Sequence, residues 1–246
     1  MEKHIMEYPN FLIIGAGKSG TTSVYHYLKQ HPQVFMSEVK EPNFFALEGK
    51  TDIIGYTESD PEGFNHYPWA VTNLIDYKAL FKNVDNQLAV GESSTMYQYM
   101  EKAPANIKKY VPNAKLIAIF RNPVDRAYSH YLHSKRDDHE SENFEKSLEL
   151  EVSRLKKHEN QSDYLSYLRH SYVHQGLYAQ MINRYLQYFS LDNFLFIHFE
   201  NELLQERELT IKRILEFLEI DSSVLLRTNI RSNPSSKEKS KSLKKL

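Results

Sequence analysis

The chain has 246 residues, with 31 Lys and Arg against 32 Asp and Glu, and it contains no cysteine. The length suits one large domain. The balanced charge provides no overall field for nucleic acid, and the missing cysteines exclude disulfides, thiolate metal sites and a cysteine nucleophile. Because there is no apolar run of membrane-spanning length and no basic-then-apolar leader, we expect a cytoplasmic protein without a transmembrane segment.

The first informative stretch is an apolar run followed by a glycine-rich turn. Residues 11–14 have the length and β-branched content of a buried strand. Residues 15–23 then supply three glycines, one lysine and four hydroxyl side chains. Free N–H groups at the start of a helix, together with hydroxyls and a lysine, form an anion site. The pattern therefore predicts a strand, a phosphate-binding loop and a helix.

The spacing of this loop excludes two common nucleotide-binding motifs. The ATPase pattern G-x-x-x-x-G-K-[ST] fails because Leu12 stands where its first glycine belongs, and because Gly20 is followed by Thr21 instead of lysine. A dinucleotide-binding G-x-G-x-x-G fits only if Lys18 is accepted inside the turn. A lysine there suits a more highly charged ligand.

The remaining pattern alternates between strands and helices. It predicts further strands at 34–36, 88–94, 115–120 and 193–199, and helices at 76–82, 103–110, 143–159, 173–189 and 202–219. Residues 48–77 indicate a long irregular segment over the active face, and a basic tail follows Arg227. The alternation predicts a single-domain α/β fold with a mainly parallel central sheet flanked by helices, and ligands at the carboxyl ends of its strands.

A second informative stretch follows the strand at 115–120. That strand ends in Arg121, and Pro123 starts a helix that carries Arg126 and Ser129 in its first two turns. A guanidinium and a hydroxyl placed there can hold a second phosphate. Nucleotide hydrolases and kinases need a Mg²⁺-binding carboxylate in this position, where this chain has arginine. The alternative interpretation is that the arginines form surface ion pairs with neighbouring aspartates.

These motifs together resemble those of the sulfotransferase family. Residues 18–22 resemble its 5′-phosphosulfate loop, residues 121–129 resemble its 3′-phosphate motif, and residues 40–45 are similar to the K-E-P-x-F-F segment of Golgi glycan sulfotransferases and their bacterial relatives. The resemblance spans about 9–217. It implies a P-loop-like sulfotransferase domain over residues 1–246, short or truncated at its C-terminus, that uses 3′-phosphoadenosine 5′-phosphosulfate (PAPS) as donor.

The resemblance also implies residue roles. Lys18 would be catalytic, contacting the bridging oxygen and the sulfonate of PAPS. The 5′-phosphate would be held by the residues that follow in the loop, namely Ser19, Gly20, Thr21, Thr22 and Ser23. Arg121 and Ser129 would hold the 3′-phosphate, as they would in the product 3′-phosphoadenosine 5′-phosphate (PAP). No metal is expected.

Three residues are candidates for the base that activates the acceptor. By its match to the family, Glu41 is our prediction for this role. His66 is the second candidate, because other branches of the family use histidine. Glu92 is the third, and it can instead orient the loop or Lys18.

Several points stay open in the sequence. Some glycan sulfotransferases have a second active-site lysine after this strand, where this chain has Ser93 and Ser94. The resemblance therefore does not imply a second active-site cation in this chain. A glycan, a lipid, a polyketide or a small molecule with a hydroxyl or amine can be the acceptor, and the oligomeric state is not predicted. The rival functions are a Mg²⁺-dependent kinase-like phosphotransferase and a nucleotide-binding module without catalysis.

Overall fold

The protein is described by a computed structural model for residues 7–50, 70–160 and 164–229. Within these residues, five parallel strands form one sheet in the order β2-β3-β1-β4-β5. The strands are β1 (Phe11–Gly15), β2 (Val34–Met36), β3 (Ala89–Ser93), β4 (Lys115–Phe120) and β5 (Phe194–His198). The predicted α/β fold with a parallel central sheet is therefore confirmed.

Helices connect and cover these strands. They are α1 (Thr21–Leu28), α2 (Phe44–Leu47), α3 (Leu74–Ala79), α4 (Met96–Tyr99), α5 (Ala103–Tyr110), α6 (Pro123–Arg136), α7 (Phe144–Asn160), α8 (Tyr164–His170), α9 (Tyr178–Tyr185) and α10 (Arg207–Phe217). Short 3₁₀ turns at His174–Gly176 and Leu191–Asn193 precede α9 and β5, and a π-helix at Phe199–Gln205 precedes α10. Among the described residues, no helix is both long and apolar enough to cross a membrane.

Both faces of the sheet are buried, and the side chains of each strand alternate between them. In β1, Leu12 and Ile14 pack into one apolar cluster with α2, α3, α4, α5 and α9, whereas Phe11 and Ile13 pack into a second cluster with α1 and α10. A strand buried on both faces reads as a continuous apolar run, as residues 11–14 do. The central strands are therefore rigid supports for the loops at their carboxyl ends.

One long helix predicted at 173–189 is interrupted. Residues 174–176 form a 3₁₀ turn, and α9 begins only at Tyr178. The break lies at Leu177, whose φ of −80° and ψ of +56° leave the helical region and separate this turn from α9. The buried Glu151 carboxylate of α7 accepts hydrogen bonds from the backbone N–H groups of Val173 and His174 at 2.8 Å and thereby caps the start of the turn.

Two other helix predictions need smaller corrections. The helix predicted at 76–82 begins at Leu74, because the Asn73 side chain caps it by accepting a hydrogen bond from Asp76 N at 2.9 Å. The helix predicted at 202–219 begins at Arg207, after the π-helix. Most of the predicted irregular segment, including His66, and the tail beyond residue 229 lie outside the described residues.

Candidate active site

The two predicted anion-binding motifs meet at the carboxyl edge of the sheet. β1 and β4 are neighbours, so the loop that follows β1 and the arginine that follows β4 emerge side by side. Arg121 Nη1 donates a hydrogen bond to the carbonyl oxygen of Lys18 at 3.1 Å. The predicted convergence of the two strand ends is therefore present in the structure.

The loop after β1 is shaped by its backbone. Ala16 N donates to Ile119 O at 2.8 Å, which ties the loop to β4. Gly20 has φ +84°, and a Cβ added there would lie 2.7 Å from a Leu203 methyl group, so glycine is required. Helix α1 begins at the next residue, with no side-chain cap and no acidic residue in its first turn among the described residues. Its terminal N–H groups and positive dipole end are therefore available to an anion.

The side chain of Lys18 lies in a positive environment. Burial is the largest influence that lowers its pKa, to about 8, and the charge of Arg136 is the next. Arg121 and Arg169 lower the pKa further, whereas Asp137 raises it. Like charges around a desolvated lysine disfavour its protonated form. An anion bound among these groups would relieve that repulsion.

The guanidinium of Arg121 is held from several sides. Its central carbon lies 5.1 Å from the centre of the Phe199 ring, a cation–π arrangement, and its Nε lies 4.0 Å from a carboxylate oxygen of Glu200. The backbone is fixed as well, since the Tyr178 hydroxyl donates to Arg121 O at 2.9 Å. Arg121 stays half-buried and therefore accessible at the edge of the site.

The expectation that Arg126 grips a second phosphate is wrong. Its side chain is fully buried, and its guanidinium donates to the carbonyl oxygen of Tyr172 and to Gln175 Oε1. The alternative interpretation, a surface ion pair with a neighbouring aspartate, does not hold for Arg126 either, because its side chain is buried. Position 126 lies on the face of α6 that packs inward, whereas Ser129, almost one turn later, is half-buried.

Glu41 stands at the end of the β2 connection, close to the loop. Its carboxylate accepts hydrogen bonds from Thr95 N at 2.8 Å and Thr95 Oγ1 at 3.1 Å, and it forms an ion pair with Lys40 at 2.7 Å. Thr95 Oγ1 in turn lies 3.8 Å from the position that a Cβ on Gly17 would occupy. Thr95 therefore stands between the Glu41 carboxylate and the Lys18 loop.

Sequence reasoning did not identify Thr95 or Gln175 as parts of the site. Gln175 Oε1 lies 3.7 Å from the same Cβ position on Gly17, so both side chains face the loop. The signal for Thr95 was its place directly after the polar end of β3. Gln175 follows no strand, and only the packing of the 3₁₀ turn at His174–Gly176 against α6 brings it here.

The other base candidates are placed differently. Glu92 is fully buried, and burial is the main cause that raises its pKa to about 7. Both of its oxygens accept hydrogen bonds from buried hydroxyls, so this placement favours an orienting role. Ser93 has a buried hydroxyl without a partner among the described residues. His66 lies outside the described residues.

Within the described ranges, no three His, Asp or Glu side chains come together as metal ligands. Whether the reaction needs a metal is a separate question, and metal independence stays a prediction.

Comparisons with known proteins identify the family. The family model described as a sulfotransferase domain matches residues 8–245. The chain is 32% identical over 196 residues to the bifunctional heparan sulfate N-deacetylase/N-sulfotransferase 4 of Mus musculus, covering 80% of this chain and 20% of that protein. It is 28% identical over 220 residues to the human heparan sulfate glucosamine 3-O-sulfotransferase 6, covering 86% and 52%. The chain thus spans a fifth to a half of the length of these relatives.

The fold gives the same assignment. A crystal structure of a sulfotransferase from Alicyclobacillus acidocaldarius superposes with a TM-score of 0.76 at 31% identity, covering 92% of this chain and 87% of that one. The family match covers nearly all residues, and the phosphate-binding loop and Arg121 lie together at the sheet edge. This chain therefore belongs to the sulfotransferase domain family.

Proposed function

We propose that this protein, as one sulfotransferase domain, transfers a sulfonate group from PAPS to a hydroxyl or amine of an acceptor, by in-line displacement and without a metal. The observation that carries the proposal is the contact between the two anion-binding motifs, in which Arg121 Nη1 donates to Lys18 O at 3.1 Å. PAPS has two separated anionic groups, and a lysine-bearing loop beside an arginine at one sheet edge suits such a ligand.

The donor would be held by groups already described. The N–H groups and hydroxyls at the start of α1, from Ser19 to Ser23, would bind the 5′-phosphate. Arg121 and Ser129 would bind the 3′-phosphate. Gly20 adopts φ +84° as this turn requires, and its missing side chain leaves room for Leu203 and Phe199 to pack beneath the loop.

The chain's own groups supply the chemistry that sulfonate transfer needs. Glu41 would take the proton of the acceptor hydroxyl or amine while the acceptor atom bonds to sulfur. The bond from sulfur to the bridging phosphate oxygen breaks, and PAP leaves with the additional negative charge. Lys18 would stabilise that developing charge, and its buried, positive surroundings make it sensitive to a nearby anion. Thr95 would hold the Glu41 carboxylate at the loop.

For the acceptor we propose a glycan, because two of the similar proteins are named for heparan sulfate sulfotransferase activities. The half-buried position of Glu41 at the edge of the site is compatible with a large acceptor that approaches from solvent. The cytoplasmic location expected from the sequence stays a prediction.

The test is a transfer assay with ³⁵S-labelled PAPS against desulfated heparan chains, a lipid alcohol and a small alcohol, in the presence of EDTA. We expect label in the glycan. Lys18→Ala should lower kcat by about 10²- to 10³-fold, as the loss of one transition-state donor does. Lys82→Ala is the matched control, because Lys82 is an exposed lysine remote in sequence from both motifs.

Other outcomes would contradict the proposal. Mg²⁺-dependent transfer of phosphate from ATP, with no transfer from PAPS, would indicate a kinase-like phosphotransferase. Tight binding of PAP without transfer to any acceptor, and tolerance of Glu41→Gln, would indicate a nucleotide-binding module.

A further inference from the structure

A buried carboxylate beneath the site has no part in the chemistry above. Glu92, at the end of β3, is fully buried and accepts three hydroxyl hydrogen bonds. Tyr97 donates to Oε1 at 2.5 Å and Tyr77 to the same oxygen at 3.3 Å, while Ser94 donates to Oε2 at 2.8 Å. A buried carboxylate lowers the stability of the folded protein unless such hydrogen-bond donors compensate for its lost hydration. A carboxylate kept in the core therefore indicates a role for it in the structure.

Two of these hydroxyls also accept hydrogen bonds from backbone N–H groups. Ser94 Oγ accepts a hydrogen bond from Asn43 N at 3.1 Å, and the Tyr97 hydroxyl oxygen accepts from Phe45 N at 3.4 Å. A hydroxyl carries a single proton. Because Glu92 takes that proton in both cases, the oxygen lone pairs are left to face the two N–H groups. The carboxylate therefore fixes both hydroxyls as acceptors and strengthens them by polarisation.

The backbone held in this way is the segment that carries Glu41. Glu41 and Asn43 have φ values of +61° and +57°, in the left-handed region that non-glycine residues seldom occupy without outside support. Support comes from the connection after β3 on both sides of the turn. Glu41 N donates to Ser93 O at 2.9 Å, and Thr95 N donates to the Glu41 carboxylate at 2.8 Å.

We propose that Glu92 is a positioning residue. Through Ser94 and Tyr97 it holds the amides of Asn43 and Phe45, and it thereby keeps the Glu41 carboxylate aimed at the Lys18 loop. The inference rests on the proposed function in one respect, namely that Glu41 is the base. The contacts that carry it are independent of any ligand.

Hydrogen exchange tests the holding role without an activity assay. In Glu92→Gln, the amide nitrogen donates to Ser94 Oγ and reverses that hydrogen bond. We expect the amides of residues 41–47 to exchange at least tenfold faster, with exchange in residues 11–28 and the Kd of PAP changed by less than twofold. Ser94→Ala, which breaks the path to Asn43 alone, should reproduce the effect in part and covers the case in which Glu92→Gln fails to fold.

Glu140→Gln is the matched control for neutralising a buried carboxylate. Glu140 also accepts from a buried phenol, Tyr172, at 2.8 Å, but it pairs with Arg154 and lies away from Glu41. Exchange at 41–47 should be unchanged in this variant. Unchanged exchange at 41–47 in both Glu92→Gln and Ser94→Ala, or an equal increase throughout the chain, would overturn the proposal.

Kinetics then tests whether the effect acts through Glu41. Glu92→Gln should lower kcat by 10- to 100-fold with KM for PAPS unchanged, and the double variant with Glu41→Gln should be no slower than Glu41→Gln alone. Multiplicative losses in the double variant, or weaker PAP binding, would overturn the positioning role. If Glu41→Gln keeps full kcat, the base assignment in the proposed function fails, and hydrogen exchange still decides whether Glu92 holds the segment.

Discussion

The Lys18 loop and the Glu41 segment lie at the same edge of the sheet, yet they are held in different ways. The loop is fixed by its own glycines and by backbone contacts, such as Ala16 N to Ile119 O at 2.8 Å. The Glu41 segment is fixed by contacts with the end of another strand, in which the Ser94 hydroxyl accepts from Asn43 N and both the N–H and the hydroxyl of Thr95 donate to the Glu41 carboxylate. One site element is therefore a local motif, and the other depends on a buried polar network.

This difference predicts how each part responds to change. A backbone-formed anion site depends chiefly on glycine positions and on the charges around it. A side-chain network loses more than one contact when a central member is removed, because its hydrogen bonds are mutually supporting. Variants of the loop should therefore affect donor binding, whereas variants of the network should affect the placement of Glu41.

The largest expected effect lies in the network, in the pH dependence of stability. The pKa of Glu92 is raised from 4.5 to about 7, chiefly because burial outweighs the hydrogen bonds from Tyr97 and Ser94 that lower it, and the nearby Glu41 charge adds to the rise. Between about pH 4.5 and 7 the folded state keeps a proton that the unfolded chain has lost, whereas above pH 7 Glu92 is the carboxylate described above. This contribution to stability therefore declines as pH rises and is lost once pH passes 7. Relative to Glu92→Gln, the wild type should lose roughly 2 to 3 kcal/mol of unfolding free energy between pH 5 and pH 8.

Urea denaturation of both proteins at several pH values measures this difference. Glu149→Gln serves as the control, because Glu149 is an exposed helix carboxylate paired with Lys146, and its stability should follow the wild type. A constant difference between wild type and Glu92→Gln across this pH range would contradict the prediction.

The next effect concerns the donor pocket. Arg121→Ala should weaken PAP binding by about 10- to 100-fold, since a hydrogen bond to a charged group contributes about 1.5–3 kcal/mol. Arg121→Lys keeps the charge but loses the two-pronged geometry, and it should restore only part of the affinity. Isothermal calorimetry measures both, and Arg184→Ala, which removes a surface arginine 3.7 Å from the exposed Glu101, should bind normally. Normal affinity in Arg121→Ala would remove this residue from the 3′-phosphate site.

The smallest effect is the pH dependence of donor binding. The pKa of Lys18 in the free protein is lowered to about 8, mainly by burial and by Arg136. A bound anion favours protonated lysine, so binding should weaken once the free protein loses that proton. The Kd of PAP should rise by about tenfold from pH 7 to pH 9. Lys18→Ala should show a flat profile, and a flat wild-type profile would mean that Lys18 does not face the bound anion.

The sequence alone predicted the strands of the parallel sheet and the two motifs that follow β1 and β4. Apolar runs of strand length predicted all five strands of the described sheet, and their polar ends predicted which residues converge at its carboxyl edge. The helix predicted at 103–110 is present with the same bounds. These features depend on the spacing of apolar and polar residues along the chain, which can be read directly from the sequence.

Tertiary structure decided the details that depend on contacts distant in sequence. The inward position of Arg126 and the location of Thr95 beside Glu41 each follow from packing between elements far apart in the chain. Glu92 is the clearest case, because its sequence context indicated only a polar strand end. Which face of a helix or strand end is buried is set by its neighbours in space, and burial decides whether a charged side chain contacts ligand or supports the backbone beneath it.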